Sequence, residues 1–157
     1  MVFNFIFYIF AGKILYIMIT IYLTSYGDFD NSKLLKLVCD FFMQNISHAD
    51  INVIAPLGIK NGDIICRNYV IKENLNHTFL KPSQMDKAEN LQQCNHAILF
   101  NNGKSKGIKM SLNIITKYIR GKIVEIHTNL NELTVYQLGK EPITKSYSIS
   151  NNTLKLA

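Results

Sequence analysis

The hexapeptide Asn102-Gly103-Lys104-Ser105-Lys106-Gly107 stands between an apolar run at 95–100 and a stretch of helical apolar spacing that begins at Ile108. Glycines let backbone N–H groups approach an anion, and the start of a helix adds positive partial charge. Ser105 can donate a hydroxyl, and Lys104 and Lys106 add charge. A phosphate suits this chemistry. A solvated turn that uses glycine only for its backbone also explains it, and the residues alone leave both readings open. The tripeptide Gly103-Lys104-Ser105 suggests a P-loop, but that motif needs a glycine five positions before its GK glycine. Ile98 occupies that position, inside the apolar run.

Two further segments carry similar chemistry. Pro56-Leu57-Gly58-Ile59-Lys60-Asn61-Gly62-Asp63 places two glycines ahead of a helical stretch. Asp63 is suited to a ribose hydroxyl or to capping the helix, and both readings stand. The segment 24–30 (TSYGDFD) offers Ser25 as a polar contact and Tyr26 as a surface for a base, or else forms a plain turn. No G-x-G-x-x-G follows the first predicted strand, so the dinucleotide fingerprint is missing. The candidate binding set is therefore Ser25, Tyr26, Gly58, Asn61, Gly62, Asp63, Asn102, Gly103, Lys104, Ser105 and Gly107. No catalytic or metal-ligating set emerges.

The elements that must position these residues follow from periodicity. The β-rich run 14–24 predicts a first strand, with 1–12 or 1–13 as an apolar extension. Asp30, Asn31 and Ser32 can cap a helix whose apolar residues, from Leu34 to Phe42, fall at helical spacing. A strand is predicted at 51–55, a helix from Asp63, a short strand at 78–80, a polar helix at 84–93 and a buried strand at 95–100. Ile108, Leu112, Ile115 and Ile119 mark one apolar stripe of the next helix, which Gly121 ends before a strand at 122–127. Residues 133–138 suggest an edge strand, and the polar tail from 140 reads as loosely ordered.

Alternation of this kind predicts an α/β fold: a Rossmann-like three-layer sandwich with a mostly parallel five-stranded sheet, spanning 14–139. Ligands of such sheets bind beyond the carboxyl ends of the strands, where the strand order reverses. The loops at those ends are 24–30, 56–63 and 101–107.

Composition sets the outer limits. The 157 residues suffice for one domain of ordinary size, and 48% hydrophobic against 18% charged residues rules out wholesale disorder. A net charge of +6 suits an anionic partner without choosing one. Cys39, Cys66 and Cys94 form no CxxC pair and are odd in number, which argues against a zinc ribbon or a disulfide scaffold. The four histidines show no metal-binding spacing. The run 2–23 is long enough to cross a bilayer but is broken by Asn4, Gly12 and Lys13. A cytoplasmic protein is expected, with a membrane anchor through 2–23 as the alternative. Met18 is a second plausible start.

The matching stretches TSYGDFD at 24–30, APLGIKNGD at 55–63 and CNHAILFNNGKSKGI at 94–108 resemble the SLOG superfamily of Rossmann-like nucleotide-binding proteins, in particular its YspA-related branch. The third stretch is the most specific, with Gly103, Ser105 and Gly107 in register. The chain departs from the pattern at Pro56-Leu57, where the family has a glycine pair, at Tyr26, where it has arginine, and at Asn102, where it has an acidic residue. Ile108 stands where the family has threonine, and Asp86-Lys87 where it often has Arg-Asn. The resemblance implies binding or sensing of a nucleotide or nucleotide-derived small molecule. Related phosphoribohydrolases and deoxyribosyltransferases use a glutamate near the third loop, and the segment Ile108-Lys109-Met110-Ser111-Leu112 that follows Gly107 here carries no carboxylate. A non-catalytic nucleotide-binding module is thus expected. The alternatives are an N-glycosidic hydrolase or transferase using Asp28, Asp30 or Asp63, and a nucleic-acid-binding module, although no basic run with interleaved aromatics exists. Self-association stays open.

Overall fold

The computed structural model describes residues 1–4, 7–16 and 18–157. It is an α/β fold. Strand β3 (Ile19–Ser25) is followed by α1 (Ser32–Met43), β4 (Ile51–Pro56), α2 (Asn61–Lys72) and β5 (Asn76–Leu80), after the hairpin strands β1 (Phe7–Phe10) and β2 (Lys13–Tyr16). Two short helices come next, α3 (Pro82–Met85) and α4 (Ala88–Leu91), then β6 (His96–Asn101), α5 (Lys106–Tyr118) and β7 (Ile123–His127). The chain ends in β8 (Glu132–Tyr136), β9 (Ile143–Ser150) and β10 (Thr153–Leu156).

Among the described residues the main sheet has eight strands in the order β10-β9-β8-β7-β6-β3-β4-β5. The five from β5 to β7 are parallel, and β8, β9 and β10 add antiparallel to that end. Strand β3 lies at the centre: Ile21 faces Val53 of β4 on one side and His96 of β6 on the other. The chain runs outward from β3 through β4 to β5, then returns across β3 to β6 and β7. The reversal therefore falls between β3 and β6.

Period-two alternation divides the apolar residues between two cores. Ile21, Leu23, Val53, Ala55, Ile98 and Phe100 join the core with α1 and α2 residues such as Leu35, Val38, Phe42 and Val70. Tyr22, Ile54, Ala97, Leu99 and Ile123 face the other way, against Met85 of α3, Leu91 of α4, and Ile108 and Ile115 of α5. Helices thus cover both faces. Asn31 caps α1, its side-chain oxygen accepting from Leu34 N at 2.9 Å. Ser105 caps α5 in the same way, accepting from Ile108 N at 3.3 Å.

Five expectations are corrected. The sheet has eight strands and is mixed, not five-stranded and mostly parallel. The tail from 140 is not loose: β9 and β10 pair through a turn at Asn151 and Asn152, both at positive φ (50° and 55°), a backbone that asparagine tolerates better than most residues. Tyr147 and Leu154 bury into the first core, and β10 contacts α1. Consequently the strand expected as an edge at 133–138 is internal, held between β7 and β9. The predicted helix at 84–93 is two helices, because Lys87 is extended (φ −74°, ψ 139°) and breaks the run.

The first strand begins at Ile19, later than the 14–24 reading. Lys13–Tyr16 pairs instead with Phe7–Phe10 around a two-residue turn, Ala11 and Gly12, with φ of 50° and 75°. Residues 5, 6 and 17, which the N-terminal readings also cover, lie outside the described residues. Among the described residues no helix is long and apolar enough to cross a membrane. The Phe3 ring is fully buried, stacked on His96 with ring centroids 4.2 Å apart.

Candidate functional site

A cleft of about 590 Å³ opens above the carboxyl ends of β3, β4 and β6. All three predicted loops line it. Ser25, Tyr26 and Gly27 come from the first, Gly58, Ile59, Lys60 and Asp63 from the second, and Ser105 and Gly107 from the third. A second hollow of about 360 Å³ shares Tyr26, Gly27, Lys60 and Ser105 with it and adds Asn61, Asn102 and Lys104. The sheet brings these segments together because β3 lies between β4 and β6, so the loops that follow them exit at one rim.

The first two loops are locked by their glycines. The amide of Gly62 donates to Gly27 O at 2.9 Å, and the side chain of Asn61 donates to Phe29 O at 3.1 Å. A Cβ on Gly62 would collide with Ser25 Oγ and the carbonyl of Tyr26, and one on Gly58 with the Asp63 carboxylate. Asn61 and Gly62 therefore join the loops, Gly58 leaves room for the Asp63 carboxylate, and the Gly62 amide is not free for a ligand. Ser25 is turned toward the same joint, its hydroxyl accepting weakly from Cys66 Sγ at 3.8 Å. Lys60 crosses over Gly27, its Cδ 2.7 Å from where a Cβ would sit. Tyr26 packs edge-on against Phe29, with centroids 5.5 Å apart.

The third loop uses three of its amides internally. Asn102 Oδ1 accepts from Lys104 N at 2.9 Å and Ser105 N at 3.0 Å, and Asn101 Oδ1 accepts from Gly103 N at 2.9 Å. Gly103 takes a φ of 78°, where a side chain is strained. With Ile108 N on Ser105, the amides of the first turn of α5 left without a partner among the described residues are those of Lys106 and Gly107. An anion at this loop would meet those amides, and the lysines around the smaller hollow. Gly103 and Asn102 shape the turn.

Asp63 sits in the first turn of α2 and makes no cap bond; Lys60 occupies the cap position. Asp63 as a whole is 8% exposed and lines the cleft. Burial holds its pKa above the ordinary carboxylate range, against the pull of Arg67 and Lys60. Arg67 itself is committed to the carbonyls of Pro56 and Gly58 at 2.9 and 2.7 Å.

Sequence reading missed a second carboxylate. The break between α3 and α4 places Asp86 in the cleft wall, where Tyr22 OH donates to Oδ1 at 2.6 Å and Ser111 Oγ donates to Oδ2 at 2.7 Å. Burial, reinforced by Asp86, raises the Tyr22 phenol well above its ordinary pKa, so it stays protonated. The visible signal was Asp86-Lys87 interrupting an otherwise helical stretch. A third carboxylate, Glu125, supports the rim from below: it is 4% exposed and accepts from Asn101 Nδ2 at 2.7 Å and Tyr136 OH at 2.9 Å. Asp28 lines only the smaller hollow, and Asp30 lines neither.

Among the described residues no three His, Cys, Asp or Glu side chains gather closely enough to hold a metal. Cys39, Cys66 and Cys94 are buried and free, and burial pushes the thiols of Cys66 and Cys94 up to about 12. A scan against protein-family models found no match, and a search of curated proteins found none.

Proposed function

We propose that the chain binds a nucleotide or nucleotide-derived small molecule in this cleft without transforming it. The parallel part of the sheet has the order and the reversal of a Rossmann-like layout, and the cleft stands at that reversal. The observation that carries the reading is the meeting of three glycine-bearing loops over one rim, with Lys60, Lys104 and the two open amides of α5 beside an apolar recess. The SLOG-like motifs at 24–30, 55–63 and 94–108 fall on these loops. The volume of about 590 Å³ is within the range of small-molecule sites. Thermal unfolding with a panel of nucleoside mono- and diphosphates tests the reading. A ligand is expected to raise the melting temperature; no rise with any member of the panel, at millimolar concentration, sinks it.

A second reading, cleavage of an N-glycosidic bond, is favoured by one observation: Asp63 is a buried cleft carboxylate whose proton is held more tightly than usual, as a general acid requires. Release of free base from nucleoside monophosphates, lost in Asp63→Asn, is its test. Absence of any released base leaves binding alone.

A further inference from the structure

The cleft has two chemically different ends. Lys60, crossing over Gly27, belongs to the end that continues into the lysine-bearing hollow. The opposite wall is built by Met85, Ile108 and Ile114 around the hydroxyls of Tyr22 and Ser111 and the carboxylate of Asp86. Among the residues lining the cleft, Lys60 is the one basic side chain, so that opposite wall has none.

The hydrogen-bonding state of this wall is determined by its geometry. Tyr22 is 1% exposed and has a single hydroxyl proton, which is directed at Asp86 Oδ1 at 2.6 Å. The Ser111 hydroxyl proton is directed at Oδ2 at 2.7 Å. Both donors are thereby spent on the carboxylate. Each carboxylate oxygen keeps a second lone pair, so toward the cleft the wall offers acceptors and no donor. A planar ring lying against Met85, Ile108 and Ile114 is matched when its edge donates. It is mismatched when its edge presents a carbonyl oxygen to the carboxylate.

We propose that this wall selects an amino-bearing nucleobase, with Asp86 as the residue that reads the exocyclic amine. The inference rests on the nucleotide reading of the cleft and adds its specificity. A hydrogen bond to an ionised acceptor is among the stronger kinds, and a site built to receive a donor rejects the analogue lacking it.

The test compares ligands that differ at the exocyclic group: CMP against UMP, AMP against IMP, and GMP against IMP, by calorimetric titration of the intact chain. The amino member of at least one pair is expected to bind about 10- to 100-fold more tightly. In Asp86→Asn, which can turn an amide N–H toward the ring, that ratio is expected to fall to parity or invert. The wild-type comparison stands even if the variant folds poorly. Equal binding of both members of every pair overturns the selectivity and leaves the nucleotide reading intact. An unchanged ratio in a folded Asp86→Asn removes Asp86 from the role. Failure of every nucleotide to bind overturns the reading of the cleft and this inference with it.

Discussion

The amide of Gly62 reaches the carbonyl of Gly27 at 2.9 Å, so the start of α2 is fastened to the loop that follows β3. The approach is possible because neither Ser25 Oγ nor the Tyr26 carbonyl leaves space for a side chain on Gly62. Gly62→Ala must therefore push the two loops apart. The expected cost is about 1–3 kcal/mol, as for other overpacked positions. Gly103→Ala is the comparison: its obstacle is a φ of 78° with Asn129 no nearer than 3.2 Å, and the expected cost is roughly 1 kcal/mol of backbone strain. Urea unfolding of the two variants measures both. A Gly62→Ala protein as stable as the wild type contradicts the packing described here.

How much of this was legible beforehand depended on the kind of signal. Asn31 caps its helix as its residue type suggested, and Ile108, Ile115 and Ile119 bury as their spacing required, whereas Ser105, read as a hydroxyl donor, is seen to cap α5 only in the structure. The three loops could be located because each follows an apolar run and contains glycine. Strand β9 was hidden because only Tyr147 in ITKSYSIS is buried, so it has almost no hydrophobic pattern to read. Asp86 was hidden for a different reason. A carboxylate in a polar helical stretch looks solvated, and only the break at Lys87 turns it toward Tyr22, 64 positions earlier in the chain. Glu125 likewise reads as an outward residue of KIVEIH until β8 covers it with Tyr136.

Buried His96 predicts a loss of stability in mild acid. Burial, assisted by the charge of Lys122, lowers its pKa from 6.5 to about 4. Its Nδ1 accepts from Lys122 N at 2.9 Å, and its Nε2 is buried without a hydrogen bond of good geometry to any of the described residues. The folded state thus favours the neutral ring, whereas the unfolded chain takes up a proton below 6.5. Stability from this group is complete above pH 6.5, falls as the pH drops toward 4, and levels off below that. A displacement of this size corresponds to roughly 3 kcal/mol. His96→Gln is expected to remove most of that slope in urea midpoints taken between pH 7 and pH 4. An equal slope in the variant assigns it to other groups.

The ring that covers His96 gives a linked expectation. Phe3 is fully buried between His96 and Phe42, with centroids 4.2 and 5.5 Å away. Phe3→Ala is expected to cost about 3–5 kcal/mol through the cavity it leaves. It also admits water to the imidazole, so the remaining acid slope should be shallower than in the wild type. A large loss of stability with an unaltered slope separates packing from the histidine's desolvation.

Asp63 predicts the opposite sign. Its pKa is raised above the unfolded value of 3.8, with burial the leading cause. The folded state therefore prefers the protonated acid, and the charge imposes a cost that is absent below about pH 3.8 and grows as the pH rises through the folded value. Asp63→Asn removes the charge at nearly constant shape. The variant is expected to melt at a higher temperature than the wild type at pH 7, with the gap closing as the pH approaches 4. A variant that is less stable at pH 7 than at pH 4, relative to wild type, means that Arg67 and Lys60 outweigh the burial.

The Glu125 carboxylate links the sheet interior to the third loop. It accepts from Asn101 Nδ2 at 2.7 Å, and Asn101 Oδ1 in turn accepts from Gly103 N at 2.9 Å. Tyr136 OH binds the other carboxylate oxygen at 2.9 Å, and His127 Nε2 lies 3.5 Å from that same oxygen. In Glu125→Gln one oxygen becomes an N–H donor facing either the Asn101 amide or the Tyr136 hydroxyl. Asn101 can relieve the clash by rotating its amide, but its oxygen then leaves Gly103 N. The expected cost is about 1–3 kcal/mol, since a buried polar group loses its partner. Hydrogen exchange at the Gly103 amide should quicken more than at Lys104 or Ser105, which Asn102 holds independently. Unaltered exchange at Gly103 with the same loss of stability would mean that Tyr136, not Asn101, absorbs the change, and that the loop is shaped by Asn102 alone.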